Sequence, residues 1–138
     1  TLEIEAYPYA NTERPICPLI DMRREDVAWA QFQKLGGEWR QIQNEKISAL
    51  DELPHVLPMK AILCGEGITA HSSTLKSLLP FGISVVQYPG PDPRLHSLAE
   101  LGHIRLEQGC AQDPVSLQPL YLRTPTITKP NPPTQIIP

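Results

Sequence analysis

The sequence contains no run of about eighteen consecutive apolar residues, so it offers nothing of the length that a membrane-spanning helix needs. Its opening at Thr1 lacks the basic region and apolar core of a secretory leader, and a cytoplasmic protein without membrane contact is expected. Positive charge is not in excess. The 12 Lys and Arg face 15 Asp and Glu, and the net charge of -3 gives no general pull toward nucleic acid. The three cysteines, Cys17, Cys64 and Cys110, are odd in number and widely spaced, which argues against a disulfide frame or zinc knuckle and predicts reduced, buried thiols. There is no H-E-x-x-H or H-x-x-x-H spacing, no G-x-S-x-G elbow and no internal repeat.

What is present is a chain of 138 residues, 41% hydrophobic, long enough for one domain that buries about two thirds of its unfolded surface. It is organised around the stretch ICPLIDMRREDVAWAQFQ, residues 16–33. Two apolar runs flank a charged knot from Asp21 to Asp26. In the second run Val27, Trp29 and Gln31 alternate with Ala28, Ala30 and Phe32. Period-two alternation with charges confined to the connection predicts an antiparallel hairpin. No Asn-Gly or Asp-Gly pair is present, so the loop should hold about four or five residues. Pro18 predicts that the first strand lies at an edge or begins near Leu19. Gly36-Gly37 supplies the next turn, and Trp39 to Ile47 forms a third meander strand.

Further along, Ser48-Ala49-Leu50-Asp51 has the form of a helix start capped by the serine, cut short by Pro54 and Pro58. Met59 to Cys64 reads as a central strand, Ser72 to Leu79 as a short helix and Ile83 to Gln87 as another strand. Pro93 opens a helix capped by Asp92 that runs to about Gln108, with Leu95, Leu98, Ala99, Gly102 and Leu106 as its core stripe and Gly109 as its left-handed ending. Pro114 to Arg123 is read as extended, with Tyr121 on the core and Arg123 in a local pair. Thr124 to Pro138, in a chain with 16 prolines, is read as a proline-rich tail, expected to be disordered. A meander followed by helix-strand-helix-strand-helix predicts an α/β fold with a mixed sheet and helices packed on it.

Several constellations carry possible chemistry. Asp21, Arg23 and Asp26 can be a carboxylate pair around a cation; with no nucleophile or base beside them in sequence, a solvated loop with local ion pairing is the preferred reading. Gly65-Glu66-Gly67-Ile68-Thr69-Ala70 fits a dinucleotide-binding turn after a strand. Against it, the helix is expected to begin only at Ser72, and Gln87-Tyr88 supplies no acid for a ribose. The competing reading is a turn that needs glycine for its backbone angles, with a small nucleotide-binding enzyme domain as the alternative function. His96, Glu100, His103 and Glu107 share one helical face with a Glu-His spacing used by metals, but as the face opposite the leucines they read as solvated. His55 and His71 stand alone in loops. Ser72, Ser73 and Thr74 read as capping hydroxyls, and Cys64 as a buried sulfur rather than an activated thiol. Arg14, Arg23, Arg24, Lys34 and Arg40 give the meander a basic edge, with acids interleaved. No catalytic, cofactor-binding or metal-binding residue is assigned.

The segment IDMRREDVAWAQF resembles the I-D-A-R-x-x-E-V-Y-W-A-x-Y segment of the bacterial TsaB (YeaZ) family, glycoprotease-like proteins (inactive homologues of metal-dependent proteases) with an actin/Hsp70-type, ribonuclease H-like ATPase fold. Asp21, Arg23, Val27, Trp29 and Ala30 match; Asp26 replaces Glu, Ala28 replaces Tyr and Phe32 stands for the last aromatic. Thr1-Leu2-Glu3 resembles the T-L-E-x-x-A that opens the family's second half, and Pro119-Leu120-Tyr121-Leu122-Arg123 its closing P-x-Y-L-R. The resemblance implies a C-terminal TsaB-like domain over residues 15–123, preceded by a linker or helix remnant over 1–14 from an N-terminal domain not in this chain, and followed by the tail over 124–138. It implies no catalytic site and no cofactor. The parent subunit would support threonylcarbamoyladenosine synthesis on tRNA, pairing with a TsaD-type threonylcarbamoyl transferase and a TsaE-type ATPase, with a homodimer possible and no direct tRNA contact expected.

Overall fold

A computed structural model describes residues 1–123. The expected tail over residues 124–138 lies outside them. The hairpin forms as β1 (Ile16–Asp21) and β2 (Asp26–Leu35), antiparallel, with Leu19 opposite Trp29 and Asp21 opposite Val27. Gly36 and Gly37, with φ of 58° and 85°, turn the chain into β3 (Glu38–Ala49), which pairs antiparallel with β2. These are the left-handed angles that a two-residue hairpin turn demands. A short 3-10 turn (Leu50–Glu52) and α2 (Leu53–Val56) lead to β4 (Ile62–Cys64), then α3 (Gly67–Leu78), β5 (Ser84–Val85) and α4 (Asp92–Glu107). The sheet order is β3-β2-β1-β4-β5, with β4 parallel to both neighbours.

The alternation in β2 places one set of side chains on each face, and both faces are buried. Val27 and Trp29 join Cys17, Leu19, Leu53, Leu63, Ile68 and Leu75 under α2 and α3. Ala30 and Phe32 join Ile16 and Cys64 beneath α1 (Leu2–Ala6), which contributes Leu2 and Ala6, while α4 lies against α1. Two apolar faces and helices on both sides make a mixed α/β sandwich of three layers.

Several expectations are corrected. Pro18 sits inside β1, and β1 is the middle strand. Its partners across β2 are recorded at Ile16 and from Leu19 onward, so the missing N–H falls where that ladder is open, while Pro18 itself faces Cys64 of parallel β4. Ser48 remains in β3, where its hydroxyl accepts from the Trp29 indole N–H at 3.1 Å; the following turn is closed instead by Glu52, which accepts from the Ala49 N–H at 3.3 Å. The helix expected from Ser72 starts at Gly67, and His71, expected in a loop, lies within it at a kink (φ -122°, ψ 20°). Asp92 is the first residue of α4, after Pro91, and provides no side-chain cap.

The stripe expected to bury α4 is also wrong. Ser97 and Leu101 face inward, whereas Leu95, Leu98 and Leu106 stand 69%, 55% and 68% exposed. The reason is that α4 meets the domain mainly along α1 and the turn after it, a contact too narrow to cover an apolar face of ordinary width. Pro114 to Arg123 forms no strand, and Tyr121 is exposed rather than packed on the core. Of the cysteines, Cys17 and Cys64 are buried but Cys110 is exposed.

Candidate functional site

In a sheet with parallel strands, ligands collect outside the carboxyl ends of those strands. Here that region holds Asp21 at the end of β1, the loop over residues 22–25, and the Gly65-Glu66-Gly67 turn between β4 and α3. The loop is unusual in placing three consecutive non-glycine residues in the left-handed region: Arg23, Arg24 and Glu25 have φ of 63°, 55° and 63°. Each such residue costs about 1 kcal/mol or more, so the surroundings must over-determine the loop. They do so through Arg23 N–H to Asp21 Oδ1 at 2.9 Å, Met22 N–H to the Asp26 carbonyl at 3.0 Å and Leu50 N–H to the Glu25 carbonyl at 2.9 Å. Arg123 adds an ion pair with Asp26 from the far end of the described chain.

Asp21 has a second partner that its sequence neighbours do not reveal. Its Oδ1 lies 3.0 Å from His71 Nε2 on α3. The Arg23 N–H, then His71, hold the Asp21 carboxyl below the usual carboxylate range. An aspartate-histidine pair orients a base when a nucleophile completes it. Among the described residues, however, His71 makes no hydrogen bond to a hydroxyl or thiol. Cys64, one residue from the turn, points its thiol at the Glu5 carbonyl at 3.6 Å, and burial raises its pKa far above the thiol range; burial pushes the Cys17 thiol up to about 12. Neither is a nucleophile at neutral pH.

The glycine turn runs directly into α3, which removes one objection to a phosphate-binding reading. The space is already taken, though. A Cβ placed on Gly65 would lie 2.6 Å from the Leu19 carbonyl oxygen, and one on Gly67 would lie 3.0 Å from the same atom. With φ of +92° at Gly65, the glycines serve the close passage of this turn over β1. Glu66, between them, reaches Arg94 on α4 at 3.7 Å, and Arg94 forms the main ion pair of buried Glu5 on α1.

That network yields a prediction. Burial raises the Glu5 pKa above its ordinary 4.5, with Arg94 the largest opposing influence. The folded state therefore holds this proton more tightly than the unfolded chain, so its stabilising contribution is complete below about pH 4.5 and is lost as pH rises through the folded value. Arg94→Met should widen that gap. Thermal unfolding of the variant should show a loss of about 2 kcal/mol at pH 8, allowing for the partial exposure of Arg94, and a smaller loss at pH 4. Equal losses at both pH values would contradict a role through Glu5.

The other singled-out groups disperse. His96 pairs with Glu100 at 3.2 Å and His103 with Glu107 at 3.3 Å, each on exposed α4 surface. No cluster of three or more His, Cys, Asp or Glu able to hold a metal occurs among the described residues. The expected basic edge does not form. Arg14 is a clamp bonded to the Lys60, Ala61 and Gly82 carbonyls and to Ser84 Oγ, Arg23 and Arg24 lie at one end of the meander, and Lys34 and Arg40 lie at the other. Sequence inspection missed Arg14, His71 and Arg94 as organising residues because each acts on partners more than forty positions away.

No family model and no curated protein matches the sequence. Solved structures share the fold, among them two described as YeaZ or as similar to it. One is described as an uncharacterized protein with similarity to peptidase YEAZ from Pseudomonas aeruginosa, with TM-score 0.59 and 20% identity over 88% of this chain and 56% of that one. The other is YeaZ from Pseudomonas aeruginosa, with TM-score 0.55 and 20% identity over 88% of this chain and 55% of that one. The chain thus spans little more than half the length of these neighbours, and its mixed five-stranded sheet has the ribonuclease H-like fold that they share.

Proposed function

We propose that this domain is a non-catalytic scaffold, the C-terminal half of a TsaB-like subunit that supports threonylcarbamoylation of the adenosine beside the tRNA anticodon. The YeaZ fold supports the subunit type. The observation that carries the non-catalytic reading is that the polar groups at the strand ends are spent on the fold itself. Asp21 is engaged by His71 and the Arg23 amide, Leu19 fills the space over both glycines, and the thiol beside them is buried. In this reading a TsaD-type transferase contributes the chemistry, a TsaE-type ATPase joins the assembly, and contacts with the transferase run mainly through the other half of the subunit.

The test uses the chain as it stands, in the cytoplasmic setting this role requires. Immobilised chain should retain a TsaD-type subunit weakly or not at all, and calorimetry with ATP, NAD and threonine should show no saturable micromolar binding. A tight complex formed by this chain alone would overturn the division of labour. Saturable binding of a nucleotide would instead favour an enzyme domain built on the Gly65 turn.

A further inference from the structure

The fold leaves three leucines of α4 in solvent. Leu95, Leu98 and Leu106 stand 69%, 55% and 68% exposed, while Ser97 and Leu101 seat the helix on the domain. At about 100° per residue, Leu95, Leu98, Ala99, Gly102 and Leu106 fall within an arc of about 100°, the width that a surface helix ordinarily buries. The centre of that arc lies about 130° round the helix from Ser97 and Leu101, so the stripe points away from the rest of the domain. Gly102, in the middle of it, is not needed by this chain. Its φ is not positive, and a Cβ there would meet nothing within 4 Å. Glycine weakens a helix interior relative to alanine, so its presence without a local cause is informative. A second helix crossing at close range supplies a cause, because a bare Cα lets the two axes approach.

We infer that this face of α4 packs against the same face of a second copy of the chain, antiparallel, about a two-fold axis midway between Ala99 and Gly102. A two-fold contact must complement itself, and the stripe does so. Leu95, Ala99, Gly102 and Leu106 are spaced four, three and four apart, so the order of large and small residues reads the same in both directions. Inverted on itself, it sets Ala99 against Gly102 at the crossing and Leu95 against Leu106 at either end. Small residues then stand where crossed helices come closest, and large ones where they diverge. The charges follow the same rule. His96, Glu100, His103 and Glu107 run along one flank of the stripe, again at four, three and four. Turned end for end, that column brings His96 against Glu107 and Glu100 against His103. Within one helix these groups already pair as His96–Glu100 and His103–Glu107, but on exposed side chains, and each carboxylate keeps a second oxygen to accept across the contact. An unrelated partner would require neither the palindrome nor the inverted charge order. With three leucines on each side the contact is at the small end of specific interfaces, so micromolar association is expected.

The test is sedimentation of the whole chain under reducing conditions, where the exposed Cys110 cannot link copies. The mass should rise from the 15.4 kDa of one chain toward twice that value across the micromolar range. Leu95→Glu combined with Leu106→Glu, both at exposed positions, should hold the chain at the mass of one copy. Gly102→Leu should melt no lower than the parent, since the position is open in the single chain and leucine favours helix, yet should weaken association roughly tenfold or more. Glu107→Lys should weaken it severalfold, and adding His96→Glu should restore it by re-creating the unlike pair in reverse. A single-copy mass at every concentration would overturn the inference. So would a dimer that survives the leucine or Gly102 substitutions, which places the contact on another face. A double charge variant no tighter than Glu107→Lys alone would overturn it as well, by excluding the antiparallel order. None of these outcomes depends on whether the domain serves a tRNA-modifying subunit.

Discussion

Trp29→Ala is expected to cost about 4 kcal/mol of unfolding free energy, the largest loss of any single truncation in the molecule. Trp29 is 1% exposed and sits at the centre of the cluster beneath α2 and α3, touching the set that includes Cys17, Leu19 and Leu53. Truncation removes that packing and leaves a cavity. It also strands the Ser48 hydroxyl, which in the parent accepts the indole N–H at 3.1 Å, and takes away the ring beneath Lys46, whose ammonium lies 4.3 Å from its centre. Trp29→Phe should recover most of the packing but not the hydrogen bond, for a loss of about 1–2 kcal/mol. Urea unfolding followed by circular dichroism would read both. Against a total stability of order 5–15 kcal/mol, the alanine variant should be partly unfolded at 37 °C. A loss below about 1 kcal/mol would show that the centre of this cluster lies elsewhere.

Gly65→Ala should be nearly as damaging, for a different reason. The added methyl meets backbone rather than a flexible side chain, at 2.6 Å from the Leu19 carbonyl oxygen, and the residue must keep a φ of +92°. The left-handed angle costs about 1–2 kcal/mol and the overlap a further 1–3 kcal/mol, so a loss of about 3 kcal/mol is expected. Gly67→Ala, with its contact at 3.0 Å and no positive φ, should lose less. The pair also separates the two readings of the turn. If the glycines serve the packing of α3 against β1, melting temperatures fall whether or not nucleotide is present. If they cradled a phosphate, Gly65→Ala would fold normally and lose only ligand affinity.

The second prediction shows where sequence inspection stops. A G-x-G after a strand reads identically whether it faces a pyrophosphate or a neighbouring strand. Only the position of Leu19, some fifty residues earlier in the chain, decides between them. α3 begins at Gly67 and kinks at His71, whereas the leucines that mark it in the sequence, Leu75 and Leu78, lie beyond the kink. On α4 the leucine periodicity was real, but the helix turned Ser97 and Leu101 inward and left Leu95, Leu98 and Leu106 in solvent. Amphipathic spacing identifies a helix; it does not say which stripe finds a partner.

The polar residues follow the same division. The knot from Asp21 to Asp26 was legible as a hairpin tip, and its loop length as well, because both depend on neighbours in the chain. That Asp21 would meet His71, that Asp26 would meet Arg123, and that Arg94 would answer Glu5 were not legible, because each pair closes over a long loop.

Alternation and turn chemistry act within a few residues, and they were enough to specify the meander and the α/β class. Tertiary structure alone decided that β1 is the central strand despite Pro18, that the glycine turn belongs to Leu19, and which face of α4 is covered. Those outcomes depend on steric contact and charge pairing between segments far apart in the chain, and such contacts leave no local pattern to read.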